Sequence, residues 1–416
     1  MLKFLLKSLY YTYILLPRNK FIHYKVLRRI RERGYANVIF MAANLPMWRY
    51  QGLYELINKD KRFHVSIILA PFKAYSDIQK KDNISELRKW FDSQNIAYID
   101  STTWKDDDYN IRKHLNPDII FYTQPYEHVY GNSLDNIHFE DILLCYTSYA
   151  TAIPISPYSV NTRLQNVAWK CFYESEAFKQ KIKKITYNRA KNVVVSGNPY
   201  ADEFLKKEHL DVWKPQKTIV KRIIWAPHFT VVPSPILQRG SFLWLYDFMF
   251  ELAEIYRDKI QIAFKPHPML KTKLYEIKEW GKERTDNYYR KWDMLPNGQL
   301  EEGKYIDLFM TSNALIHDSS SFTSEYHYTH NPILFTTNKG GIQCPNLDEI
   351  GQAAFKAQYF AKSKEDIIRF IENIVINNID IKKNERMDFF LNYLLPPKGG
   401  NVAENMYKEI ITSIWS

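Results

Sequence analysis

The chain has 416 residues and a formal net charge of +11 at pH 7, a length that exceeds one ordinary core and suits two domains. Its apolar content of 45%, with 25% charged residues, is that of a folded globular protein and argues against disorder. The three cysteines, Cys145, Cys171 and Cys344, are scattered without CxxC spacing. This argues against a disulfide framework or a cysteine zinc site and favours a reducing compartment.

Residues 1–33 form a distinct N-terminal segment, which is apolar and aromatic up to Leu16 and strongly basic after Pro17. The apolar part is short for a membrane span and lacks the cleavage site of a signal peptide. An interfacial amphipathic helix, attracted to an anionic membrane surface, fits this pattern. The alternative is a helix packed on the protein's own surface. In either case we expect a cytoplasmic protein, peripheral on the inner face of the cell membrane if the interfacial interpretation holds.

Residues 34–205 show alternating strand and helix patterns, which predict a Rossmann-like domain with a parallel sheet covered on both faces. The predicted helices are 51–59 and 84–94, and the predicted strands are 38–41, 65–69, 97–99, 118–122, 142–146 and 193–195. No GxGxxG motif follows the first strand, where the chain instead reads Met41-Ala42-Ala43-Asn44. A dinucleotide is therefore not expected, and we predict no cofactor.

Residues 206–218, which are rich in lysine and contain Pro215, are predicted to be a linker. The alternating pattern then restarts and predicts a second Rossmann-like domain over residues 219–395. Its predicted strands are 223–225, 260–264, 308–310, 314–316 and 333–335. The last segment, residues 396–416, is predicted to contain a final helix at 403–414.

The strand predicted at 260–264 runs directly into Lys265-Pro266-His267-Pro268. Two prolines cannot continue a ladder, so they end the strand and fix the backbone around His267. In open α/β sheets ligands bind at the carboxyl ends of the strands. His267 is therefore a candidate catalytic residue with Lys265 beside it, and a purely structural histidine is the alternative.

The strand predicted at 314–316 is followed by Asp318 and three consecutive serines, Ser319, Ser320 and Ser321. A helix entered through these serines would present free backbone N–H groups and the positive end of its dipole. Such an arrangement is suited to hold a phosphate group. An ordinary helix cap is the alternative, since Asp and Ser are common capping residues.

A second histidine, His228, follows the strand predicted at 223–225 and is preceded by Pro227. It resembles His267 in standing at a strand end behind a proline. The two histidines could share phosphate binding and acid catalysis, or His228 could simply cap its strand.

Four motifs together resemble the CDP-glycerol glycerophosphotransferase family, the teichoic acid and capsule polymer transferases. They are K-P-H-P-x-L at 265–270, D-S-S-S-x-x-x-E at 318–325, S-G-N-P with an aspartate at 196–202, and G-N-V-A at 400–403. The resemblance covers mainly residues 190–405. It implies two Rossmann-like domains facing a cleft in the GT-B arrangement, with the donor on the second domain and the acceptor on the first. It also implies that the last helix packs back across the linker.

The resemblance assigns the binding of a CDP-activated donor to a defined set of residues. These are Lys265, Asp318, Ser319, Ser320, Ser321, Glu325, Gly400 and Asn401. Glu325 stands where the family has an acid and is expected to bind the ribose hydroxyls, with a solvated surface acid as the alternative.

The chain departs from the family pattern in its first domain. The family carries H-G-T-P-x-K there, with a histidine taken as the acceptor base, whereas residues 145–150 of this chain contain no histidine. Glu127 and His128, just after the strand predicted at 118–122, are the substitutes we predict for the base. The departure leaves the acceptor and the transferred polyol open.

The leading functional prediction is a transferase that moves glycerol phosphate or ribitol phosphate from a CDP-polyol to a hydroxyl of a cell-surface polymer or lipid-linked primer, releasing CMP. No DxD motif or cluster with metal-ligand spacing stands out, and no metal is predicted. One alternative is a GT-B glycosyltransferase that uses a nucleotide sugar. Another is a basic membrane-surface module without enzyme activity. No zinc finger or RRM-type motif is present, so nucleic acid is not an expected partner.

Overall fold

The computed structural model describes residues 2–104, 111–131, 133–151, 153, 155–231, 240–319, 322–337 and 347–416. Within these residues the chain forms two compact units. The first unit comprises Met1–Asp202 and Tyr393–Ser416, and the second comprises Glu203–Asn392. Each unit contains one parallel β-sheet with helices between its strands.

The sheet of the first unit has seven parallel strands in the order β3-β2-β1-β4-β5-β6-β7. The strands are β1 (Ala36–Ala42), β2 (Phe63–Leu69), β3 (Ile99–Asp100), β4 (Ile119–Tyr122), β5 (Leu143–Thr147), β6 (Lys170–Tyr173) and β7 (Val193–Val195). The central strands are buried along almost their whole length, as expected for a parallel sheet with both faces covered. Phe40 of β1 and Phe121 of β4 stack with their ring centroids 4.7 Å apart.

Helices of the first unit precede and separate these strands. They are α1 (Leu2–Tyr10), α2 (Leu16–Arg33), α3 (Gln51–Lys59), α4 (Asp77–Ser93), α5 (Ile111–Leu115), α6 (Pro157–Val160), α7 (Arg163–Val167), α8 (Glu176–Ile185) and α9 (Tyr200–Phe204), the last of which ends in the second unit. A π-helical turn at Tyr11–Leu15 joins α1 to α2.

The N-terminal segment is helical, as predicted, and ion pairs hold α2 against the sheet. Arg29 and Arg33 both pair with the fully buried carboxylate of Asp118, with 2.7 Å between Arg29 Nη2 and Asp118 Oδ1. Tyr11 and Leu15 pack against Val167 of α7. The segment thus packs on the first unit. No helix of the described residues is long and apolar enough to cross a membrane.

The sheet of the second unit has six parallel strands in the order β10-β9-β8-β11-β12-β13. The strands are β8 (Lys221–Ala226), β9 (Ile260–Phe264), β10 (Gly298–Leu300), β11 (Ala314–His317), β12 (Ile333–Thr336) and β13 (Tyr359–Ala361). The helices are α10 (Phe242–Ile255), α11 (Leu270–Tyr275), α12 (Gly281–Met294), α13 (Ile306–Met310), α14 (Phe322–Glu325), α15 (Glu349–Lys356), α16 (Lys364–Arg369) and α17 (Lys383–Phe389). An aromatic core joins β8 and β9 to the helices through Trp225, Phe264, Phe242 and Trp292.

The last helix, α18 (Val402–Trp415), belongs to the first unit and packs against α3 and α2. Both carboxylate oxygens of Asp202 accept hydrogen bonds at its N-terminus, from the N–H of Val402 at 2.6 Å and of Ala403 at 2.9 Å. These bonds join the two segments whose motifs resemble the family in this unit. Residues 206–218, predicted to be a linker, lie in the second unit, where Trp213 is buried and donates to Thr311 Oγ1 at 3.1 Å.

One predicted strand is wrong. Residues 308–310 lie in the helix α13 of the second unit, where Leu308 and Phe309 are buried. A three-residue apolar run carries no periodicity that separates a strand from a buried helical turn. The strands β6, β10 and β13 were not predicted, because each has only three or four residues and shows no clear period.

Candidate functional site

Three neighbouring strands of the second unit end at one edge of its sheet. β8 lies between β9 and β11, and all three run parallel. His228 follows β8, His267 follows β9, and Asp318 follows β11. The sheet therefore gathers at one edge three of the side chains that the sequence singled out, in the place where open α/β sheets bind ligands.

The two predicted histidines are in contact. Their ring centroids lie 5.0 Å apart with an interplanar angle of 65°. The backbone also fixes them, since the N–H of His267 donates to the carbonyl oxygen of Pro227 at 3.0 Å. The ring of Phe229 lies 4.5 Å from that of His267 and forms an apolar wall beside the pair.

The hydrogen bonds of the rings determine what each histidine presents. The N–H of Met269 donates to His267 Nδ1 at 3.1 Å. Because Nδ1 accepts, the neutral ring carries its proton on Nε2 and offers an N–H donor. Nδ1 of His228 lies 3.1 Å from Thr230 Oγ1, where either atom can donate.

Both rings are neutral near pH 7. Burial lowers the pKa of His267 to about 3, with smaller contributions in the same direction from the neighbouring His228 and Lys265. Burial also lowers the pKa of His228, although the charge of Asp318 opposes the shift. A neutral histidine pair beside an ammonium group is suited to bind an anion. A bound anion would raise the pKa of both rings again, because it stabilises their protonated forms.

Lys265 is 5% exposed and supplies the positive charge of this edge. Its Nζ donates to the carbonyl oxygen of Gly303 at 2.8 Å. Burial lowers its pKa to about 8, against the opposing charges of Glu301 and Glu302. The side chain is therefore mainly an ammonium ion at neutral pH and titrates within the physiological range.

Asp318 organises the loop that carries His228. Its Oδ1 accepts from the N–H of His228 at 2.5 Å, and its Oδ2 accepts from the N–H and the hydroxyl of Ser241, at 2.7 Å for the hydroxyl. The carboxylate thus ties the end of β11 to the His228 loop and to the start of α10. This geometry gives Asp318 a positioning role.

The serine motif is described only in part, since Ser320 and Ser321 lie outside the described residues. Ser319 is buried, and its N–H donates to His317 Nδ1 at 3.3 Å. The helix after the serines, α14, has four residues.

Glu325, at the end of α14, is 3% exposed and accepts from the hydroxyl of Tyr305 at 2.6 Å. The alternative of a solvated surface acid is therefore wrong for Glu325, while its binding of ribose remains a prediction.

The remaining predicted residues belong to the first unit. Glu127 and His128 are exposed in the turn after β4. Gly400 and Asn401 precede α18, where Asn401 Oδ1 accepts from the N–H of Glu404 at 3.0 Å and caps the helix. Among the predicted residues, the second unit therefore brings together His228, His267, Lys265 and Asp318.

Three residues of the site were missed in the sequence. Phe229 and Thr230 contact the histidine rings, and their only signal was their position directly after His228. Ser241 was also missed, because its contact with Asp318 spans 77 residues and depends on the fold. No group of three or more potential metal ligands occurs among the described residues.

Comparisons with known proteins add evidence on the fold. No family model matches the sequence, and no curated protein matches it. The structure is similar to a UDP-N-acetylglucosamine 2-epimerase, with a TM-score of 0.59 and 13% identity over 91% of this chain and 96% of the other. The UDP-GlcNAc 2-epimerase from Neisseria meningitidis, solved with UDP-GlcNAc bound, matches with a TM-score of 0.58 and 13% identity, over 90% and 100% of the chains.

A third similar structure is the wall teichoic acid polymerase TagF, solved as a histidine-to-asparagine variant. It has a TM-score of 0.56 and 12% identity, over 95% of this chain and 97% of the other. At such identities the likeness shows the fold. The predicted fold class, two parallel α/β domains of the GT-B type with an N-terminal helical segment, is confirmed.

Proposed function

We propose that this chain is a transferase that moves a polyol phosphate, glycerol phosphate or ribitol phosphate, from a CDP-activated donor to a hydroxyl of a cell-surface polymer or lipid-linked primer. CMP is the second product. The observation that carries the proposal is the His228–His267 pair, with ring centroids 5.0 Å apart at the carboxyl ends of adjacent parallel strands. The motifs around this pair are those that resemble the polyol-phosphate transferases, and a teichoic acid polymerase is among the similar structures.

The chemistry requires a group that holds the donor diphosphate. In the proposed reaction the acceptor oxygen attacks the β-phosphorus, the bond from that phosphorus to the bridging oxygen breaks, and the bridging oxygen leaves with CMP. Negative charge therefore grows on the CMP phosphate. The Nε2–H of His267 and the ammonium of Lys265 are donors that can stabilise this charge without a change in their own protonation.

The acceptor hydroxyl must lose its proton during the attack. We propose Glu127 and His128 as the source of the base, because both are solvent-exposed in the turn at the carboxyl end of β4 and the family's histidine motif is missing from residues 145–150. We also propose that the donor lies on the second unit, the acceptor on the first, and the protein on the inner face of the cell membrane.

A nucleotide-sugar enzyme is the second candidate. The likeness to UDP-GlcNAc 2-epimerases, one of them solved with UDP-GlcNAc bound, favours it. A histidine pair with a lysine at strand ends would hold the diphosphate of a nucleotide sugar equally well. The two candidates differ in the group beyond the diphosphate and in the base of the nucleotide.

The test is nucleotide release by the purified full chain, offered CDP-glycerol, CDP-ribitol or UDP-GlcNAc together with a lipid-linked acceptor extract. The proposal expects CMP from one of the two CDP donors and no product from UDP-GlcNAc. Donor binding supplies a second measurement, because a ligand at 100 times its Kd stabilises the folded state by about 2.7 kcal/mol. The CDP-polyol, and not UDP-GlcNAc, should therefore raise the melting temperature.

A matched pair of histidine variants identifies the site. His267→Ala should lose CMP release, whereas His138→Ala, which removes an exposed histidine of the first unit, should retain it. Turnover of UDP-GlcNAc, or of a related nucleotide sugar, would establish the second candidate. Equal activity of His267→Ala and the wild type would show that the histidine pair takes no part in the reaction.

A further inference from the structure

The first unit contains a cavity of about 750 Å³ that the proposed reaction does not use. One wall is the N-terminal helix, from Ser8 to His23. The other consists of residues 166–169 and of the segment 183–192, which includes the end of α8 and the loop after it. The cavity therefore lies between the N-terminal helices and the segments that precede β6 and β7, within one compact unit.

Packing holds both walls in place. The rings of Tyr11 and Tyr187 stack with their centroids 4.7 Å apart and join the N-terminal helix to the loop. The side chain of Asn188 donates to the carbonyl oxygens of Gln165 and Asn166, at 3.2 and 3.1 Å. Asn192 donates to the carbonyl oxygen of Ala168 at 2.8 Å. The loop thus has a fixed conformation around the cavity.

The lining is strongly cationic. Lys20, Lys183, Lys184, Arg189 and Lys191 line the cavity, and no aspartate or glutamate is among its lining residues. None of these five side chains forms an ion pair within the part of the chain that the structure describes. Two of them lie in the last turn of α8, where lysine is common because it complements the helix dipole. The other three have no such explanation.

Asn19 is an independent sign of a ligand. It lines the cavity and is 3% exposed, yet neither its Nδ2 nor its Oδ1 has a hydrogen-bond partner among the described residues. Buried amides are nearly always hydrogen-bonded, because an unpartnered one loses the hydrogen bonds of water without replacement. Both amide atoms are themselves buried, so the side chain would have to turn toward the cavity before a polar group bound there supplied the missing partner.

The outer side of the same helical segment is apolar. Its exposed large hydrophobic side chains, each between 42% and 72% exposed, are Leu6, Leu9, Tyr10, Tyr13, Ile14, Phe21 and Tyr24. Such a row next to cations is typical of a helix that lies in a membrane interface. A soluble anion would leave these side chains in water, whereas a lipid would cover them.

We propose that this cavity binds the phosphate headgroup of an anionic lipid, with Asn19 as a hydrogen-bond donor and the five cations as counter-charges. The exposed apolar side chains of the N-terminal helices would then lie among the acyl chains. The proposal does not depend on the donor or on the reaction, since it concerns binding alone. The proposal requires a defined binding site, whereas a general electrostatic attraction to an anionic surface would require no such site.

The test is co-sedimentation of the full chain with phosphatidylcholine vesicles that contain or lack phosphatidic acid. The cavity variant is Lys183→Gln/Lys184→Gln/Lys191→Gln. Its control, Lys61→Gln/Lys81→Gln/Lys89→Gln, removes the same charge from exposed positions of the first unit outside the cavity. We expect the cavity variant to bind phosphatidic acid vesicles about tenfold or more weakly, given the contribution of each lysine near an anionic surface. The control should stay within a factor of about two.

Asn19→Leu tests the site without a change in net charge. We expect it to weaken vesicle binding severalfold while the melting temperature stays equal or rises, because an unpartnered polar group is removed. If the role of Asn19 is purely structural, Asn19→Leu should instead lower the melting temperature and leave vesicle binding unchanged. This result would overturn the assignment of Asn19 to the lipid site.

Three results would overturn the proposal. Equal losses in the cavity variant and its control would show diffuse surface attraction. Wild-type binding by the cavity variant would show that the cavity does not engage lipid. Inorganic phosphate or pyrophosphate is the soluble probe: if either stabilises the wild type but not the cavity variant, while vesicle binding is unaffected, the ligand is a soluble phosphate.

Discussion

The backbone N–H of Met269 donates to Nδ1 of His267 at 3.1 Å and so places the ring proton on Nε2. With its pKa lowered to about 3 by burial, His267 is a neutral donor and a poor source of an acidic proton. Gln at this position keeps an N–H near Nε2, and Ala does not. We expect His267→Ala to lose about 10²–10³-fold in kcat/KM for the donor. His267→Gln should stay within about tenfold of the wild type.

The measurement for this prediction is steady-state CMP release under identical conditions. A loss in His267→Gln as large as that in His267→Ala would contradict the donor role. It would instead indicate that the ring transfers its proton to the leaving group, with the pKa raised by the bound diphosphate.

Lys265 predicts an alkaline limit to activity. Burial lowers the pKa of its ammonium to about 8, so the charge is present below that pH and is lost as the pH rises through it. If the charge holds the donor, kcat/KM should fall above pH 8 by up to tenfold per pH unit. Lys265→Met should have a lower kcat/KM that no longer falls above pH 8. Lys278 is exposed, and Lys278→Met should behave as the wild type. A flat wild-type profile from pH 7 to pH 10 is the opposing result.

Asp318 should contribute mainly to stability and to the position of His228. Asp318→Asn exchanges one carboxylate oxygen for an amide nitrogen and so loses at least one of the three hydrogen bonds from His228 and Ser241. A hydrogen bond to a charged group contributes about 1.5–3 kcal/mol. For a unit of this size we expect the melting temperature to fall by about 3–12 °C. Calorimetry measures this, with the exposed Asp258→Asn as the control, and an unchanged midpoint would refute the positioning role.

The sequence predicted the site better at strand ends than within loops. His228 and His267 were found because prolines mark the ends of β8 and β9, and adjacent parallel strands bring such positions together. Ser241 and Thr230 contribute to the same edge, but no local pattern marks them, because the partner of Ser241 lies 77 residues away.

Fold prediction failed where short segments offered no period. The buried run at 308–310 forms a helical turn, while β10 and β13 contain polar or solvent-facing residues and have three residues each. In such segments tertiary packing, and not local pattern, selects the conformation.

Buried histidines predict a loss of stability in mild acid. Burial lowers the pKa of His317 and of His23 to about 4, below the ordinary value of 6.5. Between these values the unfolded chain binds more protons than the folded one. Stability is therefore complete above about pH 6.5 and falls as the pH decreases toward 4.

The contribution of one histidine can be isolated by mutation. His317→Gln should reduce the slope of the unfolding free energy against pH by up to about 1.4 kcal/mol per pH unit within that window. Identical slopes in His317→Gln and the wild type would show that folding does not change the pKa of His317.

Alanine substitution of two glycines with positive φ should distinguish the stability cost of backbone strain from the cost of overpacking. Gly34, with φ 82°, ends α2, and a Cβ added there would have no neighbouring atom within 4 Å. Gly197, with φ 92°, would place an added Cβ 2.6 Å from Val402 Cγ2 and 3.1 Å from Pro396 Cβ. An alanine in the left-handed region costs about 1–2 kcal/mol. Gly34→Ala should therefore lower the melting temperature by about 2–8 °C.

Gly197→Ala should cost about 1–3 kcal/mol more than Gly34→Ala, because the added methyl group overpacks the contact with the start of α18. Calorimetry of both variants gives the difference directly. Because α18 is fastened to Asp202 through the N–H groups of Val402 and Ala403, Gly197→Ala should also expose α18 to faster amide exchange. Equal midpoints for the two variants would show that α18 moves aside without cost, and that the motif at residues 196–202 is not needed to hold this helix.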